Sequence, residues 1–183
     1  HNLARDERGM GYAWGWAAAG RLGHGDSEED RFVPTPLPGL KARAVSAGTY
    51  HSLVVSTAGA ALAFGEGDAG QLGLGARDNR YTPTQIMGLP PVKAVSAGLH
   101  HSLLLAVDGR VYSAGASSCG QLGLGDVAGS VLEPTEIEAL RGVGACVAHH
   151  LRFRSPRNPN EGRFVHPKAS HRLLKTFHAS SGA

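Results

Sequence analysis

A unit of about fifty residues recurs three times along this chain, and that period constrains the fold more than any other feature. Gly15, Gly65 and Gly115 are spaced by fifty, as are Gly20, Gly70 and Gly120. Leu22, Leu72 and Leu122 keep the same interval, together with Gly23, Gly73 and Gly123, and with Gly25, Gly75 and Gly125. Pro-Thr returns at Pro34-Thr35, Pro83-Thr84 and Pro134-Thr135, with the one-residue drift of a loop. Ala44 to Gly48 returns as Ala94 to Gly98, and His51-Ser52-Leu53 as His101-Ser102-Leu103. Self-similarity of this kind marks units that bury their apolar faces on one another.

Each unit reads as short strands. Ser102 to Val107 is apolar and runs into Asp108-Gly109, a hairpin signal, after which Arg110 to Ala114 is again strand-like. Ala58-Gly59 keeps the glycine of that turn in the preceding unit. Val92 to Ala97 and Pro134 to Ile137 supply two more extended pieces, so four strands fit in each fifty residues, the content of a propeller blade. Helical periodicity is absent from residues 11–142, and their glycine density penalises helix. The pattern Gly-x4-Gly-Gln/Arg-Leu-Gly-x-Gly permits turns with positive φ and close backbone approach, while Ala47-Gly48 and Ala97-Gly98 suit the crowded centre of a ring.

Taken together, V-S-A-G-x-x-H-S-L, D-G-x-V-Y-x-x-G, G-Q-L-G-x-G and P-T resemble the repeat of the regulator of chromosome condensation family. Gln71 and Gln121 keep the family's residue and Arg21 departs from it; Trp14 keeps the tryptophan that Phe64 and Ala114 replace. Kelch repeats have a similar period, but they share a Gly-Gly doublet that this sequence lacks. The resemblance implies an all-β fold, a partial β-propeller of about three four-stranded antiparallel blades at residues 11–142. A short N-terminal end, 1–10, precedes it, and a basic, disordered tail, 143–183, is expected to follow. The family's ring takes seven blades, so three imply a fragment of a larger propeller. Open blade edges, with the faces around Leu22, Leu72 and Leu122 left partly in water, are then expected to self-associate.

Charge separates the two parts. Residues 1–143 hold eleven Lys/Arg against fourteen Asp/Glu, whereas the following forty hold seven Lys/Arg and only Glu161. A mildly acidic body does not read as a nucleic-acid binder, and contact with chromatin or nucleic acid is assigned only to the tail. At Leu140 a fourth unit starts and then fails: Val143 to His150 does not recover the motif. No apolar run is long enough to span a bilayer, no N-x-Ser/Thr sequon occurs, and Cys119 and Cys146 make no disulfide framework, so an intracellular protein is expected, in nucleus or cytoplasm.

Several motifs imitate chemistry. Gly65 to Gly70 matches the dinucleotide pattern G-x-G-x-x-G, but Gln71-Leu72-Gly73 cannot open the helix that pattern needs, and no Lys-Ser/Thr follows as in a phosphate-binding loop. His51-Ser52 and His101-Ser102 suggest a base and nucleophile, yet strand neighbours point to opposite faces. Their recurrence assigns them a structural role, with Gly48 and Gly98 beside them. His149, His150, His166, His171 and His178 lack the tight paired spacing of a zinc site. No catalytic residue, metal or cofactor is expected.

The resemblance offers three functions. A non-catalytic protein-interaction scaffold is the principal one, with protein partners that include a small GTPase. The second is guanine-nucleotide exchange on a Ran-type small GTPase with chromatin association, which in the family uses an insertion these evenly spaced repeats lack. The third is a propeller sensing ultraviolet-B light, whose Gly-Trp-Arg-His-Thr motif aligns with Gly48 to Ser52 and Gly98 to Ser102, where Thr49 and Leu99 replace the tryptophan. Partner contacts are assigned to the variable pairs Thr49-Tyr50 and Leu99-His100, and secondarily to the loop charges Asp26, Asp78 and Arg80.

Overall fold

A computed structural model describes residues 1–25, 28–127 and 129–142. Ten strands carry the fold: β1 (Asn2–Arg5), β2 (Met10–Gly15), β3 (Arg31–Ala47), β4 (His51–Ser56), β5 (Ala61–Gly65), β6 (Arg80–Gln85), β7 (Val92–Ala97), β8 (His101–Ala106), β9 (Val111–Ala116) and β10 (Ser130–Glu136). All pairings are antiparallel between sequence neighbours. The only helical pieces among the described residues are single 3-10 turns at Ala18–Gly20 and Glu138–Leu140.

Three blades follow from this topology. β7 to β10 form a four-stranded sheet, and β1 to β6 a continuous six-stranded one because β3 serves two blades. Its first part pairs with β2 and its second, from Ala42, with β4. The second and third blades thus have the expected four strands. The first has three among the described residues, and it begins earlier than the repeat pattern suggested, at β1. That strand went unread because its marker, His1-Asn2-Leu3, carries asparagine where His51-Ser52-Leu53 carries serine.

The outer strands hold the prolines. Pro34, Pro36 and Pro38 alternate along β3, which sets all three missing N–H groups on one edge, where no ladder bond is lost. At the inner strands side-chain room vanishes. A Cβ on Gly48 would lie 2.5 Å from the Gly98 carbonyl oxygen, and Thr49 N–H donates to that same oxygen at 3.1 Å.

Two apolar cores lie between blades, and a third cluster, Leu105, Val111 and Ile137, belongs to the last blade alone. Ala13, Leu37 and Leu40 meet Val54 and Phe64 across the first joint. Leu53, Val55, Ala63 and Ile86 meet Val92, Leu104 and Tyr112 across the second. β4, flanked on both sides, is buried along five consecutive residues, whereas β8 begins with alternation. Leu22, Leu72 and Leu122 are themselves all buried, whereas Gly120 and Gly123 around the last of them are exposed. Leu22 and Leu72 reach the next blade's core, and Leu122 is held under its own loop, where the Ser113 hydroxyl donates to its carbonyl at 2.9 Å. Phe32, on the outer strand of the first blade, is the most exposed of the large apolar side chains among the described residues.

Candidate partner-binding face

His51 and Ser52 do not pair with each other. Each instead crosses to a neighbouring blade. His51 Nε2 lies 2.8 Å from Ser102 Oγ, and that hydroxyl donates to the Gln71 carbonyl at 2.6 Å. His1 Nε2 lies 2.8 Å from Ser52 Oγ, which donates to the Arg21 carbonyl at 2.8 Å. With the serine proton committed to a carbonyl, the imidazole must donate through Nε2–H. That polarity is the reverse of a nucleophile and its base, in which histidine accepts the serine proton. Burial pushes the His51 pKa down to about 3, with His101 and His100 adding to the effect, so the ring is neutral and structural. The sequence repeats the His-Ser pair at His51-Ser52 and His101-Ser102 but gave no sign that histidine and serine would meet at a distance of fifty-one residues.

The Gly-Gln/Arg-Leu-Gly loops are built to one plan with one exception. Gln71 Oε1 accepts Ala69 N–H at 2.9 Å, and Gln121 Oε1 accepts Cys119 N–H at 2.8 Å. Arg21 has no acceptor to offer. Its Nε donates to Ala18 O at 2.6 Å and its Nη1 to Thr49 O at 3.1 Å, while the stranded Ala19 N–H is taken by Glu28 Oε1 at 3.2 Å. Gly65 to Gly70 belongs to this loop: a Cβ on Gly67 would run into the Asp78 carbonyl, so the glycine admits backbone, not a phosphate.

Above these loops a row of planar groups crosses from the first blade to the third. Arg21 is only 3% exposed, since Trp16 covers it with the ring centroid 4.0 Å from the guanidinium carbon. Tyr50 flanks the same guanidinium at 5.2 Å, and its ring stacks on His100 with centroids 5.3 Å apart and 16° between planes. His100 Nδ1 stands 3.6 Å from Glu66 Oε1, which also accepts from Gln71 Nε2 at 3.3 Å. Burial lowers the Arg21 pKa, and Glu66, Tyr50 and Asp30 oppose that shift. Cation–π and stacked-ring contacts contribute about 0.5–2 kcal/mol each and hold the rings in place.

The candidate contact residues divide accordingly. Tyr50 and His100 lie in the row, with Thr49 exposed and Leu99 half-buried in the same two turns. Asp78 and Arg80 pair with each other at 3.9 Å, and Arg80 lines a cleft of about 340 Å³ with Met87, Glu133 and Pro134. Asp26 and the tail histidines lie outside the described residues. Trp16, Arg21 and Glu66 were missed as members of the face. Arg21 had signalled itself as the one departure from glutamine, and Trp16 and Glu66 share a repeat position fifty residues apart. Rigid aromatic rings beside a desolvated arginine suit a protein surface. No group of three or more metal-ligating side chains occurs among the described residues, and no helix there is long and apolar enough to cross a membrane.

Tandem blades joined in this way define a β-propeller repeat protein. Residues 8–55, 58–105 and 108–149 each match the regulator of chromosome condensation (RCC1) repeat, and a second description of that repeat matches 92–121. The chain belongs to the regulator of chromosome condensation repeat family. Among curated relatives it is similar to the ultraviolet-B receptor UVR8 of Arabidopsis thaliana, 41% identical over 63 residues, and to the regulator of chromosome condensation of Xenopus laevis, 42% over 60. Each match covers 32% of this chain and 14% of the relative. Among solved structures it is similar to Prp20p of Saccharomyces cerevisiae, described with its binding to Gsp1p and histones (TM-score 0.66, 27% identity, 74% of this chain and 36% of that one). The same yeast protein bound to Kap60 gives a TM-score of 0.67 at 26% identity, over 74% and 34% of the two chains. Human WBSCR16, 24% identical over 73% and 34%, shows the fold alone at a TM-score of 0.65. This chain therefore spans about a third of the solved relatives' length.

Proposed function

We propose that this chain is a non-catalytic protein-interaction scaffold, intracellular, that engages partner proteins through Thr49, Tyr50, Leu99 and His100. The observation that carries this reading is the Tyr50–His100 stack beside Arg21 and Trp16: the variable residues of successive repeats come together as one pre-ordered surface. Little rotamer freedom is left to lose on binding, which favours affinity. Asp26, Asp78 and Arg80 are the rim charges of the same proposal and act mainly on encounter rate. The test is affinity capture with wild type, with Tyr50→Ala/His100→Ala and with Asp78→Ala/Arg80→Ala. Partners lost from the first variant and retained by the second support the reading; partners retained by both overturn it.

A second reading is guanine-nucleotide exchange on a Ran-type small GTPase with chromatin association. Its support is the likeness to Prp20p, a protein described with its binding to Gsp1p and histones. Release of fluorescent GDP from such a GTPase, accelerated by this chain and not by Tyr50→Ala/His100→Ala, is the outcome that favours it. For light sensing, Thr49 and Leu99 stand where the tryptophans belong, and nothing else in the face argues for it.

A further inference from the structure

The first two blades bring the glycine loop against their own outer strand in different ways. In the first, His24 follows Gly23, and its Nε2 lies 3.4 Å from the Thr35 carbonyl oxygen and 3.2 Å from that of Pro36. Both acceptors are backbone carbonyls, so the ring donates its Nε2–H to the pair of them. In the second blade Leu74 takes the place of His24, and Thr84 and Gln85 take those of Thr35 and Pro36. The ladders bear out this equivalence: Thr35 and Pro36 oppose Ala13 and Tyr12 in β2, and Thr84 and Gln85 oppose Ala63 and Leu62 in β5. Leucine has no hydrogen to donate, and this one packs on the apolar cluster that holds Leu72 and Ile86.

Beside Leu74 lies the cleft of about 340 Å³, lined by Thr84 and Gln85 of β6 and by Glu133 of β10. Three differences from the first blade suit it to a basic guest. The Thr84 and Gln85 carbonyls receive nothing from Leu74. Glu133 stands where the preceding repeat has Thr82, and its exposed carboxylate has no ion-pair partner among the described residues. Met87 replaces Pro38 and gives the cleft a flexible apolar wall for an aliphatic stem. Arg80 lines the cleft as well, but Asp78 stands 3.9 Å from it and offsets its charge, so Glu133 leaves the site one negative charge. In the first blade Arg31 occupies the register of Arg80, opposite Gly15 as Arg80 is opposite Gly65, and His24 donates in its presence.

We propose that this cleft binds an arginine side chain of a partner protein. A guanidinium carries its N–H donors in one planar fork, and two successive carbonyls with a carboxylate beside them are a matching set of acceptors. His24 is the chain's own version of the guest, which the second blade takes from outside. The cleft shares Arg80 with the rim charges but no residue with the Tyr50–His100 row, so it can fail while the partner-binding reading stands.

Titration of the full, isotopically labelled chain with the peptide acetyl-Ala-Ala-Arg-Ala-Ala-amide, followed by backbone amide chemical shifts, tests it. Saturable shifts are expected at Leu74, Thr84, Gln85 and Glu133, and the counterpart peptide with norleucine in place of arginine is expected to leave them unmoved. Leu74→His gives the second blade the donor of the first and is expected to abolish binding. Leu74→Met, which brings no N–H or O–H, is expected to retain it. Glu133→Gln is expected to weaken binding about two- to fivefold, the worth of one exposed charge pair. Because Glu133 is exposed, this variant decides alone if Leu74→His does not fold. Shifts that do not saturate or that the norleucine peptide reproduces overturn the proposal, as does binding of undiminished strength in Glu133→Gln or in a folded Leu74→His.

Discussion

His51 donates its Nε2–H to the Ser102 hydroxyl across 2.8 Å, from the second blade to the third. Ser52, the next residue in the chain, receives the same bond from His1 across the preceding joint. One dipeptide therefore supplies a donor to the joint ahead and a relay to the joint behind. A repeat that carries both halves of its own connector can be stacked without any further change in sequence, which is the physical content of the His-Ser recurrence.

Acid should weaken this connector. The His51 pKa is about 3 in the folded chain and ordinarily 6.5 when exposed, so folding requires the neutral ring. A depressed pKa contributes stability that is fully present above about 6.5 and is lost as pH falls towards 3, at about 1.4 kcal/mol per pH unit for a single site. Urea midpoints taken between about pH 7.5 and 5.5, above most carboxylate titration, should decline in wild type. The decline should be shallower in His51→Gln. Equal slopes in the two proteins would remove His51 as the cause.

Ser102→Ala should cost about 1–3 kcal/mol, because it strands two buried polar groups at once, the His51 Nε2–H and the Gln71 carbonyl. Ser102→Thr, which keeps the hydroxyl, should cost less. Denaturant unfolding of the two variants is the check, and an alanine variant as stable as wild type would mean that the relay is dispensable.

How much of this was legible beforehand depended on whether the controlling contact is local. Strands and turns were legible because glycine spacing and Pro-Thr markers recur in register. The strand Val92–Ala97 was read to the residue. The burial of Leu122 was not, because it depends on a loop folding back onto its own blade through Ser113. Nor was the Trp16–Arg21–Tyr50–His100 row, in which Tyr50 and His100 share a repeat position but Trp16 and Arg21 come from two others. A periodic sequence shows which residues are equivalent; which non-equivalent ones touch is decided by the offset between neighbouring blades.

Arg21 and Glu28 should behave as a coupled pair although the described contacts route them through the backbone. Glu28 Oε1 accepts Ala19 N–H, the bond that Gln71 and Gln121 make for themselves in the other two loops. Arg21→Gln should place its own amide oxygen there and make Glu28 redundant. Glu28→Ala is then expected to cost about 0.5–1 kcal/mol in the Arg21 chain and close to nothing beside Arg21→Gln. A double-mutant cycle in urea measures the coupling, and additivity would show that the carboxylate does not stand in for glutamine.

Gly20, Gly70 and Gly120 occupy one repeat position, and alanine should be tolerated there to different degrees. All three have positive φ, between 70° and 78°, so each substitution carries a left-handed penalty of about 1–2 kcal/mol. Only the surroundings differ. At Gly20 the new methyl meets backbone, Arg80 O at 2.7 Å and Tyr81 Cα at 2.8 Å, which cannot yield without moving a strand. At Gly70 it meets the end of the Leu132 side chain at 2.6 Å and Val131 O at 3.0 Å, where a rotamer change gives partial relief. At Gly120 it meets nothing among the described residues. Overpacking adds about 1–3 kcal/mol to the first two, so the order of destabilisation should be Gly20→Ala, then Gly70→Ala, then Gly120→Ala. Unfolding free energies measured at high dilution, to keep the chains apart, test the order. Equal costs at all three would mean that these glycines serve the loop's backbone alone, and the close approach of neighbouring blades would then have no part in requiring them.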